Sequence, residues 1–250
     1  MKALITGASS GIGLDMARYL ATKKVELILV ARSKEKLEEI QESLPTKVTI
    51  IVADLANEQK VKELYVLIKK ENIDILINNA GFGAFGDFTD TDLNNELEMI
   101  DVNIRAVHVL TKFILRDMEK KQSGYILNVA SSAAFVPGPL MATYYATKAY
   151  VYRLTEAIAE EQRVKKTGVK ISCLCPGPVE TNFANRANVV FAVKPLTSSY
   201  VAKYAIDEMF KGKLCIVPGF KMRLAKFFER FASDKLMVKI AYKFQKKKAK

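Results

Sequence analysis

The chain has 250 residues, half of them hydrophobic, and a formal net charge of +12 at pH 7. This length can bury one substantial core, and because no run of about 18 uncharged apolar residues and no signal-peptide pattern appears, we expect a cytoplasmic protein without a membrane span. Residues 211–250 hold 13 Lys and Arg against 2 Asp and Glu, whereas residues 1–210 hold 26 Lys and Arg against 25 Asp and Glu. The basic character therefore belongs to the end of the chain, which argues against a nucleic-acid-binding domain.

Seven short apolar runs alternate with amphipathic segments along the chain. In order, the runs are KALIT, ELILVA, KVTIIVA, DILIN, YILNVA, VKISCLC and LCIVP. The segments GIGLDMARYLATKK, SKEKLEEIQESL and NEQKVKELYVLIKKEN have apolar residues at helical spacing and charged opposite faces. This alternation predicts an α/β fold, with a parallel sheet covered by helices, in a single domain over residues 1–250.

The turn after the first run is rich in glycine. TGASSGIG places Gly7, Gly11 and Gly13 where a strand turns into a helix. Glycine lets the backbone approach a pyrophosphate, and the helix N-terminus favours its negative charge. The pattern predicts a dinucleotide site, with an ordinary glycine turn as the alternative.

The end of the second run predicts which dinucleotide binds. A carboxylate there would favour NAD, but Ala31 is followed by Arg32, whose planar guanidinium suits a 2′-phosphate. Ser33 and Lys36 can assist. NADP is therefore the expected cofactor, and a solvated arginine that begins a charged helix is the alternative.

Six motifs follow one another in a fixed order. They are TGASSGIG, NNAG at residues 78–81, Asn103 in DVN, Ser131 in NVASS, Tyr144 four residues before Lys148, and PGPVET from Pro176. Together they cover residues 1 to about 181 and resemble the short-chain dehydrogenase/reductase family. The resemblance implies a Rossmann-type, doubly wound parallel sheet of seven strands with helices on both faces. It also implies a catalytic tetrad of Asn103, Ser131, Tyr144 and Lys148 and no metal.

The glycine turn and the resemblance together predict the cofactor contacts. Residues 79–81 would lie against the adenine ribose or help to hold the central strand. Asp54 resembles an adenine contact, and a helix N-cap is the alternative. Thr181 resembles the residue that contacts the nicotinamide carboxamide, and a simple proline–glycine strand exit is the alternative. The full predicted set is Thr6, Gly7, Ser9, Ser10, Gly11, Ile12, Gly13, Arg32, Ser33, Asp54, Leu55, Asn79, Ala80, Gly81, Tyr144, Lys148, Pro176, Gly177, Val179 and Thr181.

Two adjacent tyrosines precede Lys148, and the helical pattern favours the first. Tyr144, Lys148 and Val151 form a stripe that faces the sheet. Tyr145 belongs to a neighbouring stripe that becomes more polar along the helix, and we expect that stripe to be exposed or to contact another subunit. The family spacing agrees, since the catalytic serine usually lies thirteen positions before the tyrosine, which is Ser131.

The expected reaction is hydride transfer between the nicotinamide and a carbonyl carbon, with Tyr144 as proton donor. A positive charge about 4 Å away, as Lys148 would supply, lowers a phenol pKa by roughly three units at an effective dielectric near 20, less the cost of desolvation. By family analogy, Ser131 holds the substrate oxygen, Lys148 also bonds the ribose, and Asn103 holds a water. The structural alternatives are a turn residue for Ser131, a helix-kink residue for Asn103 and a solvated charge for Lys148. His108, the only histidine, is expected to pack or lie at an interface.

Aromatic and aliphatic residues follow the fourth, fifth and sixth runs, where an open sheet places its crevice. We expect a wall suited to an apolar, fairly bulky carbonyl compound, with core packing as the alternative for about half of its members. Residues 182–210 are expected to form a substrate lid. The predicted wall residues are Phe82, Phe85, Phe135, Leu140, Met141, Phe183, Val190 and Phe191.

The C-terminal extension, residues 219–250, is basic and amphipathic. Packing over the substrate cleft is one expected role; weak contact with an anionic membrane surface or an acidic acyl carrier is the other. Cys173, Cys175 and Cys215 are odd in number and lie in apolar runs, which predicts buried, inert thiols and no disulfide framework. Cys-x-Cys is not a complete metal site.

The favoured function is an NADPH-dependent carbonyl reductase or alcohol dehydrogenase. A carrier- or CoA-linked 3-oxoacyl reductase is the alternative enzyme, and an NADPH-sensing or membrane-surface-associated protein is the alternative outside enzymology. Two long helices that are apolar on more than one side predict at least a homodimer, and the family interface extends this to a homodimer or homotetramer.

Overall fold

The structure, a computed structural model, describes residues 1–187, 193–229 and 231–246. Seven strands in this part of the chain form one parallel sheet with the order β3-β2-β1-β4-β5-β6-β9. A separate pair of two-residue strands, β7 and β8, is also parallel. The strands are β1 Lys2–Thr6, β2 Glu26–Ala31, β3 Val48–Val52, β4 Ile75–Asn78, β5 Gly124–Val129, β6 Val169–Leu174, β7 Val179–Glu180, β8 Leu196–Thr197 and β9 Cys215–Ile216.

Helices connect the strands and cover both faces of the sheet. The α-helices are α1 Gly11–Thr22, α2 Lys34–Ser43, α3 Glu58–Ile68, α4 Leu93–Ile100, α5 Val107–Lys121, α6 Ala142–Lys165, α7 Phe183–Arg186, α8 Ser198–Phe210, α9 Phe220–Glu229 and α10 Asp234–Lys246. A π-helical turn, Asp101–Ala106, joins α4 to α5, and a 3-10 turn, Ser132–Phe135, follows β5.

The sheet is central because its strands are apolar on both faces. Apolar side chains of α1, α2 and α8 pack on one face, and those of α3 and α5 pack on the other. Helix α6 joins the second layer through Ile158 and Ala159. Strands buried on both faces read as continuous apolar runs, which explains why the seven runs were visible in the sequence. The predicted doubly wound, seven-stranded parallel sheet is confirmed.

A buried polar chain ties the central strands to the helices beneath the site. The Asn78 amide nitrogen donates to Thr111 Oγ1 at 2.9 Å and to Asn128 Oδ1 at 2.8 Å. Asn128 Nδ2 in turn donates to Thr155 Oγ1 at 3.0 Å. Because buried polar groups need partners, this chain fixes β4 and β5 against α5 and α6.

The last two helices pack beside the 3-10 turn and α6. Gln245 on α10 is buried, and its amide donates to the Tyr145 hydroxyl. On α9, Lys226 Nζ donates to the Tyr152 hydroxyl at 3.1 Å. None of the helices in the described ranges is both long and apolar enough to cross a bilayer. The division of the chain into one domain, a lid and a C-terminal extension stays a prediction.

Candidate active site

A cleft of about 370 Å³ lies along the edge where β1 to β6 end. Parallel strands bring their carboxyl ends to one edge, so residues far apart in sequence meet there. This volume lies within the usual range for ligand sites, roughly 300–1,000 Å³.

The glycine turn forms one wall of this cleft. Gly7 and Gly11 have φ values of +63° and +54°, which only glycine adopts without strain. Ser10 stands at the N-cap of α1, but its side chain accepts no hydrogen bond from the first backbone amides of this helix. The predicted residues Ser9, Ser10, Gly11 and Ile12 line the cleft beside Gly7.

Thr6 and Asn79 hold the turn in place from behind. Thr6 Oγ1 accepts the backbone amides of Asn79 at 3.0 Å and Ala80 at 3.1 Å. Asn79 Nδ2 donates to the carbonyls of Thr6 at 3.0 Å and Gly7 at 3.1 Å. Thr6 and Gly13, both predicted cofactor residues, do not line the cleft; a Cβ on Gly13 would collide with the Asn79 side chain. They shape the turn instead.

This wall fits a pyrophosphate. A Cβ on Gly11 would lie 3.0 Å from Thr181 Cγ2, so the two walls approach closely only because Gly11 has no side chain. Two glycines in the left-handed region precede or begin α1, a helix of 12 residues. The backbone amides of the turn and the positive end of the helix dipole both favour an anionic group.

Three charged side chains meet at the far end of the cleft. Arg32 Nη1 lies 3.3 Å from Glu98 Oε1, and Arg186 Nη2 lies 3.5 Å from the same oxygen. The Arg186 guanidinium also stacks 3.7 Å from the centre of the Phe82 ring. Burial lowers the pKa of Arg186, and the positive charge of Arg32 adds to this effect. Sequence reasoning missed Glu98 and Arg186, because no local pattern links residues from α4 and α7 to the end of β2.

The other predicted residues near Arg32 have local partners. Ser33 caps α2 by accepting the Lys36 amide at 3.4 Å and does not line the cleft. Asp54 and Leu55 do line it. Asp54 Oδ1 accepts the Ala56 amide at 3.0 Å, and the N-cap of α3 is Asn57, so the helix-cap alternative for Asp54 is wrong.

Tyr144 and Ser131 meet at the opposite end of the cleft. Tyr144 is buried, with 8% of its surface exposed, and it lines the cleft together with Ser131. Burial raises the pKa of Tyr144, and the Ser131 side chain opposes that rise. Ser131 Oγ also accepts the Ala133 amide at 3.1 Å, so the serine caps the 3-10 turn as well.

Lys148 lies one helical turn below Tyr144 and is buried. Its ammonium donates to the Val129 carbonyl at 3.0 Å and lies 5.9 Å from the centre of the Tyr144 ring. Burial lowers the pKa of Lys148 to about 8. The charge of Lys148 was expected to lower the Tyr144 pKa, and for the chain by itself this expectation is wrong. The Tyr144 pKa is raised instead, because the loss of hydration around the phenol dominates.

Asn103 lies in the π-helical turn, as the helix-kink alternative predicted. Its Nδ2 donates to the Phe82 carbonyl at 2.9 Å and to Thr147 Oγ1 at 3.0 Å, and its Oδ1 accepts the Phe82 amide at 3.1 Å. Gly81 lies between Asn103 and Lys148, where a Cβ would come within 2.8 Å of the Asn103 oxygen and 3.1 Å of the Lys148 nitrogen. Asn103 thus fixes the loop beside Lys148.

Tyr145 also lines the cleft, contrary to the prediction of an exposed or subunit-contacting stripe. Its neighbours along that stripe, Ala149, Tyr152 and Glu156, are buried or half-buried. The reason is the C-terminal extension: Lys226 of α9 contacts Tyr152, and α10 contacts Tyr145. Helical periodicity cannot show a second partner that arrives a hundred residues later.

The apolar wall is smaller than predicted. Phe82, Met141 and Phe183 line the cleft, together with Val102. Phe85 packs beside Phe82, and Phe135 lies under Lys226 outside the cleft; Leu140 does not line it. Val190 and Phe191 lie outside the described residues.

The C-terminal side of the cleft is closed by the PGPVET segment. Pro176, Gly177, Val179 and Thr181 all line it, and their contact with the cofactor stays a prediction. The Thr181 hydroxyl oxygen accepts the Phe183 amide at 3.2 Å. The side chain of Met222, from α9, packs on Gly177, where a Cβ would come within 2.9 Å of it.

Comparison with known proteins identifies the family. The family model described as short chain dehydrogenase matches residues 1–189. The chain belongs to the short-chain dehydrogenase/reductase family. It is 34% identical over 181 residues to an uncharacterized oxidoreductase of Staphylococcus epidermidis, a match that covers 72% of this chain and 78% of the relative.

Two solved structures of similar proteins extend the likeness over most of the chain. A short-chain dehydrogenase from Sphingobium yanoikuyae, solved with NADPH, is 26% identical with a TM-score of 0.84, covering 94% of both chains. A bulky-bulky ketone specific alcohol dehydrogenase from Comamonas testosteroni is 25% identical with a TM-score of 0.79, covering 92% of this chain and 91% of the other. The protein is therefore an oxidoreductase of a family that binds a nicotinamide cofactor and acts on small molecules.

Proposed function

We propose that the protein is an NADPH-dependent reductase of apolar, fairly bulky ketones, which also oxidises the corresponding secondary alcohols. One observation carries the proposal. Tyr144 and Ser131 line the same cleft whose other end is the glycine turn. A proton donor is thus held where a carbonyl beside a bound dinucleotide would lie.

Tyr144 is the general acid in reduction. Because burial raises its pKa, the phenol stays protonated at neutral pH and can give its proton to the developing alkoxide. The Ser131 hydroxyl hydrogen-bonds the same oxygen and orients it. The nicotinamide cofactor, when bound, supplies the hydride in reduction and accepts it in oxidation.

Lys148 and Asn103 support this acid. Because the pKa of Lys148 is about 8, this side chain is charged in most molecules at neutral pH. Its ammonium can therefore hold the ribose hydroxyls and stabilise the phenolate that forms when Tyr144 gives up its proton. Asn103, bonded to both the amide and the carbonyl of Phe82, positions the loop that carries Gly81 beside Lys148.

The preference for NADPH rests on two arginines at the far end of the cleft. Arg32 and Arg186 both face Glu98, so the group carries a net charge of +1. A 2′-phosphate would pair with the guanidinium of Arg32, while the Glu98 carboxylate would repel it. The Sphingobium yanoikuyae relative was solved with NADPH, which supports this choice.

The substrate class follows from the wall next to Tyr144. Phe82, Met141 and Phe183 supply apolar surface there. Tyr145 adds a hydroxyl, which is already bonded to Gln245. An apolar ketone loses little hydration when it packs against such a wall, whereas a charged one would lose hydration that no polar group of the wall replaces. The likeness to the bulky-ketone dehydrogenase of Comamonas testosteroni supports the same class.

The test is a panel of ketones of increasing size, assayed with NADPH and with NADH by the loss of nicotinamide absorbance. We expect kcat/KM to rise from small ketones to bulky apolar ones and to be higher with NADPH. Turnover confined to small or charged ketones would contradict the substrate class. An absence of turnover on every ketone and on the matching alcohols would contradict the proposed function.

A further inference from the structure

Three cysteines cluster where β6 pairs with the edge strand β9. Cys173 and Cys215 are register partners across these two strands, and Cys175 Sγ lies 3.8 Å from Cys173 Sγ. Cys173 and Cys175 are fully buried, whereas Cys215 is partly exposed, and all three are free thiols. The prediction of three buried thiols is wrong for Cys215, because β9 is the last strand of the sheet.

Lys226 lies directly over the Cys215 sulfur. Its Nζ is 2.9 Å from Cys215 Sγ and 3.1 Å from the Tyr152 hydroxyl oxygen. The same ammonium lies 4.4 Å from the centre of the Phe135 ring and 4.9 Å from that of Tyr152. Two aromatic faces and a hydrogen bond hold the cation in place, and a cation beside a thiol favours the thiolate.

Every packed element contributes to the charge balance around Cys215. The side chains of Cys175, Lys226 and Tyr152 together lower the pKa of Cys215 to about 6, against the effect of burial. Burial raises the pKa of Cys175, which therefore keeps its proton and remains a donor. On α6, Glu156 lies beside the Tyr152 hydroxyl, and the Arg153 guanidinium lies 5.4 Å from the centre of the Tyr152 ring.

We propose that Cys215 is a site of oxidative modification by hydroperoxides, held as a thiolate by Lys226 and kept apart from the catalytic cleft. The thiolate sulfur attacks one peroxide oxygen, so that an S–O bond forms as the O–O bond breaks. The sulfur is oxidised by two electrons to a sulfenic acid. The departing hydroxide of hydrogen peroxide, or the alkoxide of an alkyl hydroperoxide, takes a proton from the Lys226 ammonium and leaves as water or as the alcohol. The lysine regains its proton from solvent.

This site is independent of the proposed reductase activity. Cys215, Lys226 and Tyr152 do not line the cleft that holds Tyr144. The thiolate chemistry can therefore be measured whether or not a ketone is reduced. The cluster adjoins the cleft at two places: Cys175 precedes Pro176, which lines the cleft, and Met222 of α9 packs on Gly177.

The first test measures alkylation of the full-length protein by iodoacetamide, in which a C–S bond forms and iodide leaves. Peptide mapping by mass spectrometry identifies the cysteine, and the rate is followed from pH 5 to pH 9. We expect Cys215 to react first, with a rate that rises with a midpoint near pH 6.

The matched variants are Lys226→Met, which removes the cation, and Lys226→Arg, which keeps one. With Lys226→Met the midpoint should move above pH 8. At pH 6 the thiolate fraction falls by roughly a hundredfold, and the greater nucleophilicity of a more basic thiolate recovers about tenfold, so alkylation should slow by about tenfold. Lys226→Arg should react nearly as fast as the wild type.

The second test exposes the same proteins to hydrogen peroxide with dimedone, which traps sulfenic acids. A dimedone adduct on Cys215 that is lost in Cys215→Ser and reduced in Lys226→Met supports the proposal. An adduct absent from Cys215 would overturn it, as would alkylation of Cys173 or Cys175 at the rate of Cys215. If Lys226→Met does not fold, the wild-type profile still decides, since a midpoint above pH 8 contradicts a thiolate at neutral pH.

Discussion

Arg32 follows β2 at the point where a carboxylate would select NAD, and it is paired with Glu98 from α4. We expect NADPH to bind at least tenfold more tightly than NADH, a difference of about 1.4 kcal/mol. Arg32→Ala should weaken NADPH and leave NADH nearly unchanged. Glu98→Gln should strengthen NADPH, because it removes the charge that repels the phosphate.

Fluorescence titration of both cofactors measures these changes. Arg163→Ala is the control, since Arg163 pairs with Glu160 on the exposed face of α6 and does not line the cleft. Equal affinities for NADPH and NADH in the wild type, or a loss of both cofactors in Arg32→Ala, would contradict the role given to Arg32.

Lys148 gives a prediction about stability and pH. Its pKa is about 8 in the folded protein and 10.5 for an ordinary lysine, so between these values the unfolded chain binds a proton that the folded chain lacks. The free energy of unfolding should therefore rise with pH across this window, by at most roughly 3 kcal/mol. The Lys148→Met variant has no titrating group at this position, so its free energy of unfolding should not show this rise.

Urea unfolding of both proteins at pH 8 and pH 10 checks the prediction. The advantage of the wild type over Lys148→Met should grow with pH, and other titrating groups cancel in the comparison. A difference that stays constant, or that shrinks, would mean that the Lys148 pKa is not lowered.

At the scale of elements, the glycine turn is built against the loop after β4. A side chain at Gly7 would adopt a φ of +63° and lie 2.8 Å from the Ala80 Cα. Gly212 is a matched control, because its φ is +77° but its Cβ would meet only the flexible Lys170 side chain at 3.2 Å. Gly7→Ala should lose more than about 2 kcal/mol and Gly212→Ala about 1 kcal/mol.

Urea denaturation gives both losses. Gly7→Ala should also weaken binding of NADPH, whereas Gly212→Ala should not. Losses of equal size would show that the left-handed backbone alone, and not the contact with the Ala80 backbone, makes glycine necessary at position 7.

The elements that sequence could predict are those with their own periodic signal. The run ELILVA became β2 at residues Glu26–Ala31, and the helical stripe of Tyr144, Lys148 and Val151 became part of α6 at Ala142–Lys165. The environment of Tyr145 could not be predicted, because its partner Gln245 comes from α10. The meeting of Arg186 with Glu98 has the same cause, since tertiary packing and not local pattern brings α4 and α7 together.

At the scale of the whole molecule, α5 and α6 present an outer side toward solvent. His108 Nδ1 and the Tyr150 hydroxyl lie 2.7 Å apart across these helices, and Val164 near the end of α6 is 65% exposed. We predict a homodimer or homotetramer that uses this side, with a patch meeting its own copy. Contact of the basic C-terminal extension with an anionic membrane or an acyl carrier stays a prediction.

Light scattering at micromolar concentration gives the mass directly. A dimer or tetramer agrees with the prediction, and Tyr150→Glu should shift the assembly toward smaller species by placing like charges opposite each other. A wild-type mass near the 27.9 kDa of one chain would contradict it.

The central claim is that Tyr144, and not Tyr145, exchanges the proton with the substrate. The direct measurement is kcat for reduction of the best ketone by Tyr144→Phe and Tyr145→Phe, with NADPH affinity measured on the same samples. Tyr144→Phe removes the phenol that lines the cleft with Ser131, so kcat should fall by at least about a hundredfold, the usual contribution of a general acid, while NADPH still binds. Tyr145→Phe loses only a bond to Gln245 and should keep kcat within about fivefold. Near-normal turnover in Tyr144→Phe, with the loss appearing in Tyr145→Phe, would contradict the account.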